Sequence, residues 1–272
     1  MSATPIAIVD LGRCETSQSA LEESADSLVE SIRNSGVAFI RNTGIQESQV
    51  KHAESVANDF LALPQDVKNR FVDRSSAQTD GLGSVVHSYV NMDAARIGTE
   101  YWKTRESLIF NPDIKMGFPD DVVPGFSDSW KAFSISCDDV IRRVLKLLDA
   151  SLNTRLCQVF NSEEERSKSV KFNHYPAIQT NEDVCGKIRV RAHSDPGILS
   201  LLFQDNIGGL QVENNGEFVD VAPEEGAILV QANQLLAQHT GDRLKEVHHR
   251  VIVPTDPKIA CLQRQTLSYF LL

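Results

Sequence analysis

The chain has 272 residues, with 27 Lys and Arg against 37 Asp and Glu, a formal charge of −10. Its 24% charged and 41% hydrophobic residues exclude a disordered chain, and the length admits one large domain or two small ones. The acidic balance excludes a broad nucleic-acid footprint, which needs a basic face, and no apolar run approaches the roughly 18 residues of a membrane span.

The first ten residues carry neither a basic n-region nor a long apolar h-region, so no secretory signal is read. Five cysteines, Cys14, Cys137, Cys157, Cys185 and Cys261, are scattered and never form a CxxC pair. That usage fits a reducing compartment, and a cytoplasmic protein is expected.

In chain order, a short strand is expected at Ile6–Leu11. Leu21, Ala25, Leu28, Val29 and Ile32 then follow helical spacing over Ser19–Asn34, with Ser19 and Glu22 as a capping box and Gly36 as the stop. Val37–Ile40 reads as a buried strand. A second amphipathic helix spans Glu47–Leu61 ahead of Pro64, and a third, longer one runs over Asp128–Leu152. Near Lys171 the character changes to short β-rich runs separated by turn signals: Val170–Tyr175, Ile188–His193, Ile198–Phe203, Gly209–Glu213, Ala227–Gln231, Val247–Val253 and Leu262–Leu271. The fold class expected is mainly β, a jelly-roll or cupin-like double-stranded β-helix, with a helical N-terminal layer. Nothing linker-like divides the chain, so residues 1–272 read as a single catalytic domain, mostly helical over 1–165 and with a β core over 166–272.

His193-Ser194-Asp195 ends a strand. Residues i and i+2 of a strand point to one face, so the imidazole and the carboxylate can hold one metal ion. His52 and Glu54 have similar chemistry, but on a helix they point apart. A third ligand is expected from a distant strand. His248 and His249 face opposite ways there; His249 shares the apolar face of Val247 and Val251 and is the inward choice. His239, in a turn-like stretch, is the poorer one. Two His and one carboxylate with open positions form the facial triad of non-haem Fe(II) oxygenases. Arg264 and Thr266 share a strand face, and a guanidinium fork beside a hydroxyl suits a carboxylate. Tyr175 offers one more hydrogen bond. Taken singly, each His reads equally well as a structural histidine, and Arg264 alone reads better as a surface salt bridge.

Together the motifs resemble the Fe(II)/2-oxoglutarate-dependent dioxygenase superfamily, in the branch of plant flavonoid and gibberellin dioxygenases, aminocyclopropane-carboxylate oxidase and isopenicillin N synthase. Ile6–Leu11 is similar to the opening "IPVIDL" strand, residues 37–45 to "GFFxVxNHGI", and residues 60–68 to "FFxLPxEEK". RAHSDPGILSLLFQD at Arg191–Asp205 and GGLQV at 208–212 are similar to the metal-strand block, His249-Arg250-Val251 to "HRV", and Arg264-Gln265-Thr266 to "RxS". The resemblance implies Fe(II) on His193, Asp195 and His249. It implies 2-oxoglutarate on Arg264, Thr266 and Tyr175 with Asn173, and O2 as oxidant, with ascorbate as a further cofactor candidate. The implied activity is hydroxylation or desaturation of a small-molecule substrate, giving succinate and CO2.

Candidate substrate contacts are Arg191, similar to the Arg of "RAHTD" in aminocyclopropane-carboxylate oxidases, and Tyr89, Asn91, Trp102 and Phe110 in the stretch 85–110. For the last four, a β-hairpin with ordinary packing is an equal reading. Thr266 stands where the family has Ser, and Thr240-Gly241-Asp242 where it has a "TNG" turn. The resemblance also implies a closing segment beyond the last strand. Here the sequence stops at Leu272, so closure by other loops or by another subunit stays open, as does the oligomeric state. Two other functions compete: an Fe(II)/O2 oxidase that does not use 2-oxoglutarate, and a noncatalytic cupin-like ligand sensor.

Overall fold

A computed structural model describes residues 5–72, 88–92, 102, 104–113, 119–160, 167–178 and 184–272. The strands in chain order are β1 (Ile8–Asp10), β2 (Val37–Arg41), β3 (Ser88–Met92), β4 (Arg105–Phe110), β5 (Lys168–Tyr175), β6 (Ile188–His193), β7 (Leu199–Gln204), β8 (Leu210–Asn214), β9 (Glu217–Asp220), β10 (Ile228–Ala232), β11 (His249–Ile252) and β12 (Arg264–Leu271). The helices are α1 (Gln18–Ser35), α2 (Glu47–Leu61), α3 (Gln65–Lys68), α4 (Phe126–Leu152), α5 (Leu156–Val159), α6 (Gln234–His239) and α7 (Pro257–Ala260).

Two sheets form. The larger has the order β1-β2-β10-β7-β12-β5-β4-β3, and the smaller β6-β11-β8-β9. The cavity described below is lined from both sheets, as in the jelly-roll architecture expected from the sequence. Four strands of the large sheet, β1 to β4, come from the first 165 residues. The N-terminal part is therefore a helical layer that also completes the sheet.

Alternation on β12 shows how the layers divide. Leu267, Tyr269 and Leu271 join the main core with α1, α2 and α4. Arg264, Thr266, Ser268 and Phe270 face the other way, into the cavity, and all four are buried. A half-exposed strand would turn its polar row to water; here that row is buried against the second sheet.

Helix α1 starts earlier than the capping box suggests. Ser17, not Ser19, is the N-cap, and its hydroxyl accepts from the Ala20 N–H. Gly36 ends the helix in the left-handed region, φ 76°, where a Cβ would also lie 2.8 Å from Val247. Strand β9 was not expected; it closes a hairpin with β8 across Asn215-Gly216. The five cysteines are free. Among the described residues no helix is long and apolar enough to cross a membrane.

Candidate active site

The cavity between the sheets brings together His193, Asp195 and His249. His193 ends β6, Asp195 follows it in the loop, and His249 opens β11 directly opposite His193. His193 Nε2 lies 3.4 Å from one Asp195 carboxylate oxygen, His249 Nε2 lies 3.9 Å from the other, and the two rings are 4.4 Å apart. The three ligand atoms all fall within 4.8 Å of one another, and among the described residues this is the group suited to a metal ion.

The donor set fits a divalent ion. His193 Nδ1 sits 2.8 Å from the Arg191 carbonyl, which can only accept. In the neutral ring the proton is therefore on Nδ1, leaving the Nε2 lone pair aimed at the centre of the group. His249 is almost wholly buried, and burial pushes its pKa down to about 4, so it is a neutral imidazole at neutral pH. Asp195 is 2% exposed; burial opposes its charge, but the hydrogen bond from His193 and the charges of His249, His193 and Lys171 outweigh burial and lower its pKa. A buried carboxylate facing two imidazole nitrogens is a site for a cation.

His248 takes the other role read for it. It points out of the cavity to the Glu213 carboxylate, 2.5 Å away. His239 sits against the Phe160 ring, away from the triad.

The residues that the sequence suggests for the cosubstrate line the same cavity. On the large sheet Arg264 pairs with Tyr175 and Thr266 with Asn173. The Arg264 Nε donates to the Gly208 carbonyl at 2.6 Å, which fixes the guanidinium, and its carbon lies 5.2 Å from the centre of the Tyr175 ring. Asn173 accepts from Ser107 at 2.8 Å and donates to the Thr266 hydroxyl at 3.3 Å. The Thr266 oxygen is thereby an acceptor toward Asn173, and its own proton is available to a carboxylate in the cavity. A buried guanidinium and an aligned hydroxyl at one end and a cation site at the other suit a dicarboxylic 2-oxo acid.

Five proposed substrate contacts are not found in the cavity wall. Tyr89 and Phe110 are fully buried on the opposite face of the large sheet, because β3 pairs Tyr89 with Leu108 and alternation turns Leu108 and Phe110 toward the helices. Phe110 packs edge-on against Phe126 and Trp130, and Tyr89 donates to the Glu106 carboxylate. Asn91 pairs with Glu106 on that same face and is exposed. Trp102 packs against Ile178, Val184, Val253 and Ala260. Much of the stretch 85–110 lies outside the described residues. Arg191 is exposed, and a β-bulge is the reason. The β6–β11 register shifts between His249 and Val251, so Val190, not Arg191, faces Val251 and lines the cavity.

Five polar cavity or near-cavity residues escaped the sequence reading: Arg105, Lys171, Arg189, Gln231 and Ser268. Lys171 was detectable, since Lys171, Asn173 and Tyr175 recur at period two. Arg189 was not, because its place depends on the bulge. It is 2% exposed, and its guanidinium carbon lies 5.1 Å from the Tyr175 ring centre.

Comparison with known proteins agrees with this geometry. A family model described as the 2OG-Fe(II) oxygenase superfamily matches residues 157–271. A second, described as the non-haem dioxygenase in morphine synthesis N-terminal, matches residues 6–119, so the two together span most of the chain. The chain belongs to the 2OG-Fe(II) oxygenase superfamily. It is 27% identical over 272 residues to the 2-oxoglutarate-dependent dioxygenase frbA of Dothideomycetidae sp., covering 92% of this chain and 80% of that one. It is 24% identical to gibberellin 20 oxidase 1 of Arabidopsis thaliana, over 98% of this chain and 69% of that one. In fold it is similar to a full-length Neurospora crassa protein crystallised in complex with alpha-KG and thymine, with a TM-score of 0.84 at 21% identity, covering 99% of this chain and 86% of that one. The superfamily oxygenase is an oxidoreductase using Fe(II), 2-oxoglutarate and O2.

Proposed function

We propose that this oxygenase hydroxylates or desaturates a small-molecule substrate, with Fe(II) held by His193, Asp195 and His249 and 2-oxoglutarate held by Arg264, Thr266 and Tyr175. The supporting observation is that one buried cavity holds both the His/Asp/His group and the Arg264–Thr266 pair. When bound, the metal supplies the oxidising chemistry, coupled to loss of CO2 from 2-oxoglutarate and formation of succinate.

The chain's own residues do the rest. Arg264, locked by Gly208, meets the distal carboxylate with a rigid fork, and Thr266 donates to it. Asn173 orients Thr266 and is itself held by Ser107. Val190, Leu202, Leu210, Val251 and Phe270 keep the cavity wall apolar and exclude water around the reacting centre. Strands from the first half of the sequence flank those of the second half at both edges of the large sheet, which supports residues 1–272 acting as one catalytic domain.

The oxidase reading without 2-oxoglutarate is less favoured, since several of the curated relatives are named for 2-oxoglutarate. The test is direct: 2-oxoglutarate binding by calorimetry to the Mn(II)-loaded chain, and succinate formation with Fe(II) and O2. Arg264→Gln is expected to raise the KM for 2-oxoglutarate at least ~30-fold, from loss of a paired buried carboxylate worth about 2 kcal/mol or more. Thr266→Ser should leave it nearly unchanged. Wild-type binding that Arg264→Gln does not weaken would overturn the assignment.

A further inference from the structure

Gln231 of β10 lines the cavity and is 3% exposed. Alternation along the strand puts it there. Its neighbours Val230 and Ala232 join the main core, while Leu229, two residues back, belongs to the second cluster with Leu202, Leu210 and Val251, which line the cavity. The Gln231 Nε2 has no hydrogen-bond partner among the described residues. A buried amide N–H left without a partner is costly. Here it borders space that a ligand can fill, and neither the metal group nor the Arg264–Thr266 pair uses it.

Position separates Gln231 from the cosubstrate. On the large sheet it pairs with Ser200 of β7, and Ser200 pairs with Phe270 of β12. Arg264 opens β12 and Phe270 lies near its end, about 20 Å further along at the usual rise per residue. The Gln231 row is therefore the end of the lining away from the Arg264 guanidinium. That end is tied by backbone to both metal-bearing segments. Just past β10 the Gln234 N–H donates to the Asp195 carbonyl at 3.2 Å. The Val247 N–H, on the approach to His249, donates to the Ala232 carbonyl at 2.8 Å. Gln231 is thus held near the metal group, with the apolar side chains of Leu202 and Phe270 lining the same space.

We propose that Gln231 is a specificity-determining residue for the primary substrate: its amide N–H donates to an acceptor oxygen of the substrate, while Phe270 and Leu202 pack against the hydrocarbon part and leave it beside the metal. This rests on the site reading given above. It adds a feature of the substrate that family membership leaves open, an acceptor oxygen within reach of the oxidised carbon. A compound lacking that oxygen leaves the buried donor unpaired, which is the arrangement by which a polar site rejects an analogue most strongly.

The test uses the full chain loaded with Zn(II), which is redox-inert, and saturated with 2-oxoglutarate, whose uptake is first measured by calorimetry. The probes are matched pairs in which CH2 replaces a carbonyl oxygen: acetophenone with 2-phenylpropene, propiophenone with 2-phenyl-1-butene, and cyclohexanone with methylenecyclohexane. Each is titrated by ligand-observed NMR. In at least one pair the ratio of ketone to alkene affinity is expected to be about fivefold or more higher in wild type than in Gln231→Met, the worth of one hydrogen bond. Gln231→Met removes an unpaired buried amide at similar length, so Tm should hold or rise and 2-oxoglutarate uptake should match wild type; Gln231→Leu should behave alike. Ratios equal in wild type and variants for every pair, no binding of any ketone, or loss of 2-oxoglutarate uptake in the variants alone would overturn the proposal. Failure of the wild type to take up 2-oxoglutarate would instead overturn the site reading, and this inference with it.

Discussion

The Arg189 guanidinium lies 5.1 Å from the centre of the Tyr175 ring, and the Arg264 guanidinium lies 5.2 Å from the same centre. Two cations therefore share one aromatic ring at the Arg264 end of the cavity. Arg189 is buried, its Nε and one terminal nitrogen have no hydrogen-bond partner among the described residues, and its pKa falls to about 10, first from burial, with the charge of Arg264 adding to it. A side chain held at that cost must do something other than stabilise the fold.

Arg189 is expected to position Tyr175 for the cosubstrate. Cation–π contact is worth ~1 kcal/mol, so Arg189→Met should raise the KM for 2-oxoglutarate about fivefold, with kcat little changed. Because the substitution removes an incompletely satisfied buried charge, Tm should hold or rise. Arg189→Lys should recover part of the KM. A merely structural Arg189 would show the opposite pattern, a lowered Tm with an unchanged KM.

Metal binding should depend on pH through His193. Burial disfavours its charged form, but the Asp195 hydrogen bond and charge, with help from the Arg191 carbonyl, outweigh burial and raise its pKa above the ordinary histidine value. In the metal-free chain the proton is thus held at higher pH than on a free imidazole, and a metal ion must displace it. Affinity for Mn(II), read by calorimetry, is expected to fall as pH drops through that raised value. At 100 times the dissociation constant, metal should stabilise the fold by ~2.7 kcal/mol, seen as a Tm lowered by chelator. Asp195→Ala and His193→Ala should lose both the Tm shift and all turnover.

A second pH effect sits outside the cavity. On the helix-side face of β4, Glu106 receives hydrogen bonds from Lys68 at 2.7 Å and from Tyr89, with His174 near. Burial raises its pKa, yet His174, Lys68 and Tyr89 outweigh that and bring it to about 2. A carboxylate depressed in the folded state contributes stability that is full above its unfolded value, near 4.5, and lost as pH falls toward 2. The shift corresponds to about 3 kcal/mol, and the fifth of the side chain left in water reduces it to ~2 kcal/mol. Urea unfolding at pH 7 and pH 3 should show about 1 kcal/mol of that loss in wild type, because pH 3 still lies above the folded value, and a smaller one in Glu106→Gln. Equal losses would refute the linkage.

The parts of this molecule that obey strict periodicity were readable from sequence. Helix α2 falls where spacing put it, and the inward choice of His249 over His248 followed from which face of β11 is apolar. The errors come from breaks in that regularity. The bulge in β6 turned Arg191 out and Arg189 in. Tyr89 and Phe110 look like pocket aromatics by residue type, but face is decided by strand pairing, which a sequence pattern in a hairpin does not assign. Lys171 and Arg105 were passed over because a lone cation on a strand reads as surface. Only the second sheet, packed over them, makes them interior.

Two glycines separate backbone strain from close packing. Gly209 and Gly216 are both left-handed, at φ 84° and 83°. A Cβ on Gly216 meets nothing within 4 Å, whereas one on Gly209 lies 2.4 Å from the Ile252 carbonyl oxygen. Gly216→Ala carries only the conformational cost, ~1–2 kcal/mol. Gly209→Ala adds a clash with backbone that cannot swing aside, and ~3 kcal/mol or more is expected in total. The clash also pushes on Gly208, whose carbonyl holds Arg264. Gly209→Ala should therefore raise the KM for 2-oxoglutarate several-fold at a temperature where the variant is still folded by circular dichroism, and Gly216→Ala should not. If the two variants lose equal stability and neither changes KM, the Ile252 contact does not support the site in the way argued.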